Sequence, residues 1–350
     1  MQQHTAEHCH ACEPAKPKPW WKRQVTWAAG IVIAIFASGS CWEAARPVSE
    51  GLRYYLHKGG WAILLGLILG GVIDRYVPKE YIARWLTGHH RRTILASAGL
   101  GFLASSCSHG CLVLSIELYK KGASVPAVIT FLTASPWASM ALTLLIIGLM
   151  GWKGLFIVLM ALLVAVATGF IFQRLERKGF VDPNPHTISV GGDFSIWKDL
   201  AERFRRRKWT LQSAASDIRR IGAGAVNLAD MVLFWVVLGF SLSALFGALV
   251  PPHWWGRFLG PTPLGLLATM GFAAVIEVCS EGTAPIAVEI YRRTGALGNA
   301  FAFLMGGVVT DVTELSVLWG NLGKRAVGWL LLATLPQIFL LGMVLNWLNL

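Results

Sequence analysis

The segment CSHGCLVLSIELYKKGASVPAVITFL (107–132) decides the fold, because the chain contains a second copy of it, CSEGTAPIAVEIYRRTGALGNAFAFL (279–304). The copies align without a gap at an offset of 172 residues, and seven of the 26 aligned positions are identical. Repeated Cys-Ser-x-Gly segments in apolar surroundings indicate two broken membrane segments that meet at a common site. The repeat therefore predicts an internally duplicated, all-α integral membrane protein.

The composition around this repeat also predicts a membrane protein. The chain is 55% hydrophobic and only 14% charged, with 16 Trp and 37 Gly, which is outside the range of soluble globular domains. Most of its apolar stretches are long enough to cross a hydrocarbon core of about 30 Å. We therefore predict eight or nine hydrophobic segments, at about 25–45, 59–76, 93–117, 126–149, 152–174, 228–250, 263–290, 296–321 and 325–348.

The net charge of +12 would suit a nucleic-acid-binding protein, but its distribution favours a membrane protein. Basic residues stand in blocks beside the apolar segments, at 16–23, 79–92, 174–178 and 203–220. Such blocks are typical of cytoplasmic loops, so we expect a lipid bilayer as partner and no nucleic acid. The six cysteines form no secreted, disulfide-rich pattern. The first apolar run follows about 24 polar residues, which predicts no cleavable signal peptide.

Positive charge also constrains the topology. If every segment crossed the membrane from a cytoplasmic N-terminus, the run RFRRRK (203–208) would lie outside, against the positive-inside bias. The segment 93–117 has a Gly/Ser-rich, polar centre, and we interpret it as a re-entrant or broken helix. Each repeat then has three crossings, which makes the two repeats inverted. Two spanning helices remain an alternative, since this topology places Arg292 and Arg293 outside.

The predicted organisation follows from these segments. A short amphipathic surface helix is expected in each half, at PKEYIARWL (78–86) and PPHWWGRFL (251–259). We divide the chain into a Cys/His-rich cytoplasmic tail, a leading helix with its loop, a first repeat, a basic cytoplasmic linker and a second repeat, at 1–24, 25–58, 59–176, 177–227 and 228–350.

The first motif centre offers ligands for soft ions. Cys107, His109 and Cys111 provide two thiols and an imidazole, a set that suits Cu(I), Zn(II), Cd(II) or trivalent arsenic. On a regular helix His109 faces away from the two cysteines, whereas a helix broken near Gly110 would let all three side chains converge. The alternative is that these are small buried thiols and a core histidine.

The second motif centre is acidic. Glu277, Cys279 and Glu281 are close in sequence, and the next apolar segment carries Asp311 and Glu314. An ionisable residue at mid-membrane costs about 2.5–3.5 kcal/mol on insertion scales, so such acids mark ion or proton paths. We therefore predict that Glu277, Asp311 and Glu314 couple protons to transport.

Other polar residues are interpreted separately. Glu117 and Glu289 each lie two residues before a tyrosine and beside a basic pair, which predicts interfacial salt bridges. Cys41 is an isolated thiol. The N-terminal tail has a composition typical of metal binding, the alternative being an inert or partly artificial His-rich end; its candidate ligands are His4, His8, Cys9, His10 and Cys12.

The chain resembles a bacterial permease family that includes organoarsenical efflux permeases and predicted copper/zinc exporters. The resemblance covers most of 53–349 and is carried by GGWAILLGLILGGVIDRYVP, RWL, CSHGC and LYKKGASVPAVITFLTASP, followed by the second copy. It implies a multi-pass permease of the inner membrane. His109 and the acids around Cys279 depart from the family's pattern, which favours a transition-metal cation over a pure thiol site for arsenic.

The expected function is export of a thiophilic metal or metalloid ion, with Cys107, His109, Cys111 and Cys279 as ligands and Glu281 as a further ligand. The sequence has no GxxxxGK[ST], HExxH or GxSxG signature, so we expect an ion gradient as energy source, no enzyme activity and no cofactor. A permease for an organic or sulfur-containing anion and a metal-gated sensor stay open. The identity of the substrate ion, the direction of transport and whether the protein forms a homo-oligomer also stay open.

Overall fold

The computed structural model describes residues 24–76, 86, 91–103, 108–186, 211–276 and 280–348. Within these ranges the chain forms fourteen α-helices and one 3-10 turn, and no strand, which confirms the all-α prediction. The first seven helices are α1 Gln24–Cys41, α2 Arg46–Tyr76, α3 Arg91–Leu103, α4 Ser108–Lys120, α5 Val125–Ala138, α6 Met140–Met150 and α7 Trp152–Arg177. The other seven are α8 Leu211–Leu249, α9 Pro252–Leu259, α10 Pro263–Val275, α11 Ser280–Thr294, α12 Leu297–Val309, α13 Val312–Leu322 and α14 Lys324–Trp347.

Helix boundaries recur at the offset of the sequence repeat. The bounds of α6 coincide with those of α13 when 172 is added, and α5 and α7 begin at the positions equivalent to the starts of α12 and α14. Gly151 and Gly323 precede α7 and α14 with φ of 65° and 88°, a conformation that favours glycine. The two halves therefore share their local structure well beyond the Cys-Ser-x-Gly motif.

Broken helices are the main feature of the apolar segments. By length and composition, only α7 and α14 among the described residues could each cross a membrane alone, and up to five spans result if each bent pair counts as one. The bent pairs are α5 with α6 (42°), the end of α8 with α9 (112°) and α12 with α13 (46°). The predicted segment 93–117 contains α3 and α4, and the predicted segment 263–290 contains α10 and α11. This geometry is compatible with a multi-pass membrane protein.

Repeat-equivalent helices pack antiparallel. Helix α2 packs along α8, with Gly51 against Ala244 and Gly71 against Ala225, so residue numbers rise in opposite directions. Helices α7 and α14 are also antiparallel, because Gln337 bonds to Thr168 whereas Arg325 pairs with Asp182. Antiparallel counterparts are what inverted repeats require. The orientation of the repeats in a membrane stays a prediction.

The central helices are α5 and α12. Both are buried almost all round, with Phe131, Phe301 and Phe303 fully enclosed, as expected of helices that are apolar on every face. The buried Asn299 amide donates to the carbonyls of Leu259 and Gly260 and to Thr269 Oγ1. Because its donors are satisfied, this polar group is tolerated in the core.

Three boundaries differ from the sequence prediction. No break occurs near Gly110, since α4 runs continuously from Ser108. Helix α2 begins at Arg46 rather than 59, and α8 at Leu211 rather than 228. Hydropathy detects only the apolar part of a helix, whereas the polar turns at its end continue the same hydrogen bonding. The segment 251–259 forms the helix α9, and its position at a membrane surface stays a prediction; the segment 78–85 lies outside the described residues.

Candidate functional site

Helix α4 positions the one predicted thiol ligand whose side chain the structure describes. Cys111 is fully buried in the first turns of this helix and is not in a disulfide. His109 and Glu281 lie in α4 and α11, but their side chains are outside the described part of the structure. The remaining motif and tail candidates also lie outside it: Cys107, Glu277, Cys279, His4, His8, Cys9, His10 and Cys12.

The helices that follow the two motifs pack across the two halves. Helix α4 of the first half contacts α13 of the second, and α11 of the second half contacts α6 of the first. Leu112 of α4 and Leu318 of α13 belong to the same apolar cluster. Since α6 and α13 are repeat-equivalent, these two contacts are reciprocal. The motif helices therefore lie at the junction between the halves.

Glu314 is a buried acid close to this junction. It lies in the first turn of α13, is only 4% exposed, and its Oε1 has no hydrogen-bond partner among the described residues. The space around it is lined by Thr133 and by apolar side chains of α5, α12, α13 and α14, namely Leu132, Val308, Val309, Leu315, Leu318 and Leu330. Burying an acid without a partner for its charge is costly, so Glu314 is a candidate functional residue.

Asp311 has a defined structural role at the bend between α12 and α13. Its Oδ1 accepts from the backbone N–H of Thr313 (2.7 Å) and of Glu314 (3.3 Å) and so caps α13. The repeat-equivalent Ser139 caps α6, accepting from Leu142 N at 3.2 Å. Both halves therefore bend at a capped break. Asp311 precedes the helix that carries Glu314, so the two acids are not on one continuous helical face.

Glu289 forms the predicted salt bridges, but it is buried. Its Oε1 pairs with Arg293 Nε at 2.7 Å and its Oε2 with Arg292 Nη1 at 3.1 Å. The hydroxyl of Tyr55, from α2, also donates to Oε2. Only 3% of Glu289 is exposed, so this is a buried network. Its two arginines are the residues whose predicted outer position opposed the positive-inside bias, and Glu289 offsets part of that charge.

The structure gives less support to other predicted groups. Glu117 is exposed, and no ion pair joins it to the described residues. Cys41 is exposed at the end of α1. In the part of the chain that the structure describes, no three His, Cys, Asp or Glu side chains are grouped as metal ligands. The predicted metal sites therefore stay predictions.

Sequence reasoning missed several polar residues. Tyr55 was not predicted to reach Glu289, 234 positions away, and Thr133 was not associated with Glu314. Ser243 is fully buried, and its hydroxyl has no partner within the described residues. The one available signal for Ser243 was the repeat, because Ser243 carries a hydroxyl where its equivalent in the first half, Gly71, has no side chain.

Comparison with known proteins places this chain in a family. Residues 49–347 match the family described as "Predicted permease". Among curated relatives, the protein YcgR of Bacillus subtilis is 24% identical over 81% of this chain and 91% of its own length. Rv2963 of Mycobacterium tuberculosis, provisionally named a permease, is 25% identical over 77% of this chain and 67% of its own.

A third relative, from Streptococcus mutans, is provisionally named a subunit of a two-component membrane permease complex. It is 24% identical over 73% of this chain and 80% of its own length. No solved structure matches the chain significantly. Because the family match covers most of the chain, including both motifs and every helix from α3 to α13, this protein belongs to the predicted permease family.

Proposed function

We propose that this permease is a multi-pass protein of the bacterial inner membrane that exports a thiophilic metal or metalloid ion. The substrate would be zinc, copper, cadmium or a trivalent arsenic species. Cys107, His109, Cys111 and Cys279 bind it between the two halves, with Glu281 as a further ligand. Thiolate and imidazole ligands suit such ions. The tail, through His8, Cys9, His10 and Cys12, collects the ion at the cytoplasmic entrance.

Proton exchange drives the transport in this proposal. Glu277, Asp311 and Glu314 take up protons as the ion leaves, because metal binding requires deprotonated ligands and releases protons. The ion would enter with the thiols deprotonated and leave when they are protonated again. A relative is provisionally named a subunit of a two-component complex, which supports a further proposal that this chain works in an oligomer.

The reciprocal packing of the motif helices is the observation that carries this proposal. Helix α4 carries the buried Cys111 and contacts α13, which carries the buried Glu314. A soft ligand and an acid are thus borne by neighbouring helices of different halves. A change in the relative position of the halves would alter both groups together, which is what coupled transport needs.

Two measurements test the proposal. A strain that lacks the gene is compared with the complemented strain for growth on zinc, copper, cadmium, arsenite and methylarsenite. Everted membrane vesicles are then assayed for uptake of the ion to which the strain is sensitive, with and without a pH gradient. We expect uptake that a protonophore abolishes. Unchanged sensitivity to all five agents would contradict the proposal, and so would absence of uptake of an ion to which the strain is sensitive.

A further inference from the structure

A cleft lies where the start of α2, the end of α8 and the end of α11 meet. Its polar lining consists of Tyr55, Ser243, Glu289, Arg292 and Arg293, and we call it the arginine cleft. Gly51 and Gly247 form part of its wall. The cleft is separate from the Cys-Ser-x-Gly motif, which lies at the other end of α11.

The arginine cleft has an excess of positive charge. Glu289 is the only acid among the described residues that line it, and both of its oxygens are already engaged by Arg292, Arg293 and the Tyr55 hydroxyl. Two guanidinium groups against one carboxylate leave one net positive charge. The described contacts use only some of the five N–H donors of each guanidinium. Both arginine side chains are also partly exposed, at 43% and 34%, so a solute can reach them.

The two guanidinium groups are held in place. Arg292 lies over the ring of Tyr54, 4.2 Å from its centroid, and Arg293 Nη2 donates to the carbonyl of Gly247 at 2.5 Å. A side chain at Gly247 would meet Glu289 Oε1 at 2.5 Å, so the network requires glycine there. Donors fixed in this way bind an anion with little loss of conformational freedom.

Ser243 gives an independent indication of a ligand. Its side chain is fully buried and lines the cleft, and its hydroxyl has no hydrogen-bond partner in the described part of the chain. A buried hydroxyl without a partner is unfavourable. A ligand oxygen in the cleft would accept this hydrogen bond.

We propose that the arginine cleft binds a phosphate-type oxyanion, either free in solution or as the phosphate of an anionic lipid headgroup. A tetrahedral oxyanion has several acceptor oxygens, which suits two guanidinium groups and one hydroxyl that belong to residues lining the same cleft. In the predicted topology the start of α2 and the ends of α8 and α11 lie at the periplasmic surface of the inner membrane. Free phosphate and lipid headgroups can both reach the cleft there. The site does not depend on the identity of the exported ion.

Binding is tested on the purified full-length protein by thermal unfolding, followed through tryptophan fluorescence. In detergent, inorganic phosphate is titrated at constant pH, with ionic strength held constant by chloride. In parallel, the protein is placed in nanodiscs of phosphatidylcholine with or without phosphatidylglycerol. The test variants are Ser243→Ala, which leaves every ion pair intact, and Arg292→Gln. The control is Arg257→Gln, which changes an exposed arginine of α9 that the predicted topology puts on the same side of the membrane as the cleft.

We expect phosphate or phosphatidylglycerol to raise the melting temperature of the wild type and of Arg257→Gln. The apparent affinity should fall about tenfold or more in Arg292→Gln, which loses a charged hydrogen bond, and measurably in Ser243→Ala. Stabilisation by free phosphate identifies a soluble oxyanion, and stabilisation by phosphatidylglycerol alone identifies a lipid headgroup. Absence of stabilisation by either, or equal stabilisation of Ser243→Ala and wild type, would overturn the proposal.

Discussion

Glu314 is enclosed by apolar side chains, and one of its oxygens has no partner among the described residues. Apolar surroundings disfavour the charged carboxylate relative to the neutral carboxylic acid, so gain or loss of a proton here strongly changes the energy of this site. We therefore expect Glu314→Gln to abolish transport driven by a pH gradient while the protein folds normally, because the amide has nearly the same shape. Everted vesicles and a melting curve measure the two properties.

The matched control for this prediction is Glu117→Gln. Glu117 is the exposed acid of α4, and its replacement should leave both transport and melting temperature unchanged. Glu314→Gln with wild-type transport would exclude Glu314 from proton coupling.

The cysteines give a second prediction at the level of single residues. Replacing Cys107, Cys111 or Cys279 by Ser should each abolish metal resistance, because a hydroxyl is a poor ligand for soft ions. Membrane abundance, measured by immunoblotting, should not change. Cys41→Ser is the control, since Cys41 is exposed at the end of α1 and should be dispensable. Full resistance in all three motif variants would contradict the hypothesis that these cysteines form one shared site.

At the level of elements, the capped breaks before α6 and α13 allow a test of what Asp311 does. Asp311→Asn retains a capping oxygen but cannot exchange a proton, so we expect normal thermal stability and loss of transport. Asp311→Ala removes the cap as well and should lower stability by about 0.5–2 kcal/mol. Denaturation and vesicle uptake separate these effects.

Ser139→Ala is the repeat-equivalent control for Asp311. It removes the cap of α6 without removing an acid, so it should reduce stability alone. If Asp311→Asn transports normally, Asp311 is a helix cap and has no part in proton coupling.

The N-terminal tail is an element whose role can be tested by deletion. In our proposal it collects metal and is not part of the obligatory path, because its candidate ligands, including His8 and Cys12, precede the first hydrophobic segment. Removing residues 1–15 should weaken export at low metal concentration and leave it near normal at high concentration. Growth across a metal dilution series measures this difference. Complete loss of transport with normal membrane insertion would make the tail essential.

Local features of these elements could be predicted from the sequence, and distant contacts could not. The basic pair beside Glu289 predicted its salt bridges to Arg292 and Arg293, and these are confirmed, whereas the same pattern at Glu117 gives no ion pair with the described residues. Nothing local indicated that Tyr55 completes the network. The bends before α6 and α13 were missed because hydropathy is insensitive to a single capping residue. Of the candidate site, Cys111, Asp311 and Glu314 can be placed, and they lie on helices near the junction of the halves.

At the scale of the whole molecule, the antiparallel pairs make a prediction about topology. Single cysteines near Ser213 and at the C-terminus, in a background without native thiols, should be labelled oppositely by an impermeant reagent. A cysteine at Pro261 should be labelled from the periplasm, whereas one at Thr87, outside the described residues, should be protected. These outcomes follow from inverted repeats with a cytoplasmic linker.

Labelling of intact cells before and after permeabilisation measures the topology, and the permeabilised sample is the control for reactivity. Labels on the same side at Thr87 and Pro261 would mean parallel repeats. The two motif segments would then enter the membrane from one face, and binding between opposed segments would have to be abandoned.

The contact between α2 and α8 has the form of an isologous interface, in which one surface pairs with its own copy across a two-fold axis. In a homodimer of half-length chains the two ends of such an interface are identical by symmetry. Here they differ. At one end Gly71 packs tightly against Ala225, and at the other end its equivalent, Ser243, lines the arginine cleft. Fusion of two copies into one polypeptide lifts the symmetry, so that one end can stay closed while the other acquires a ligand.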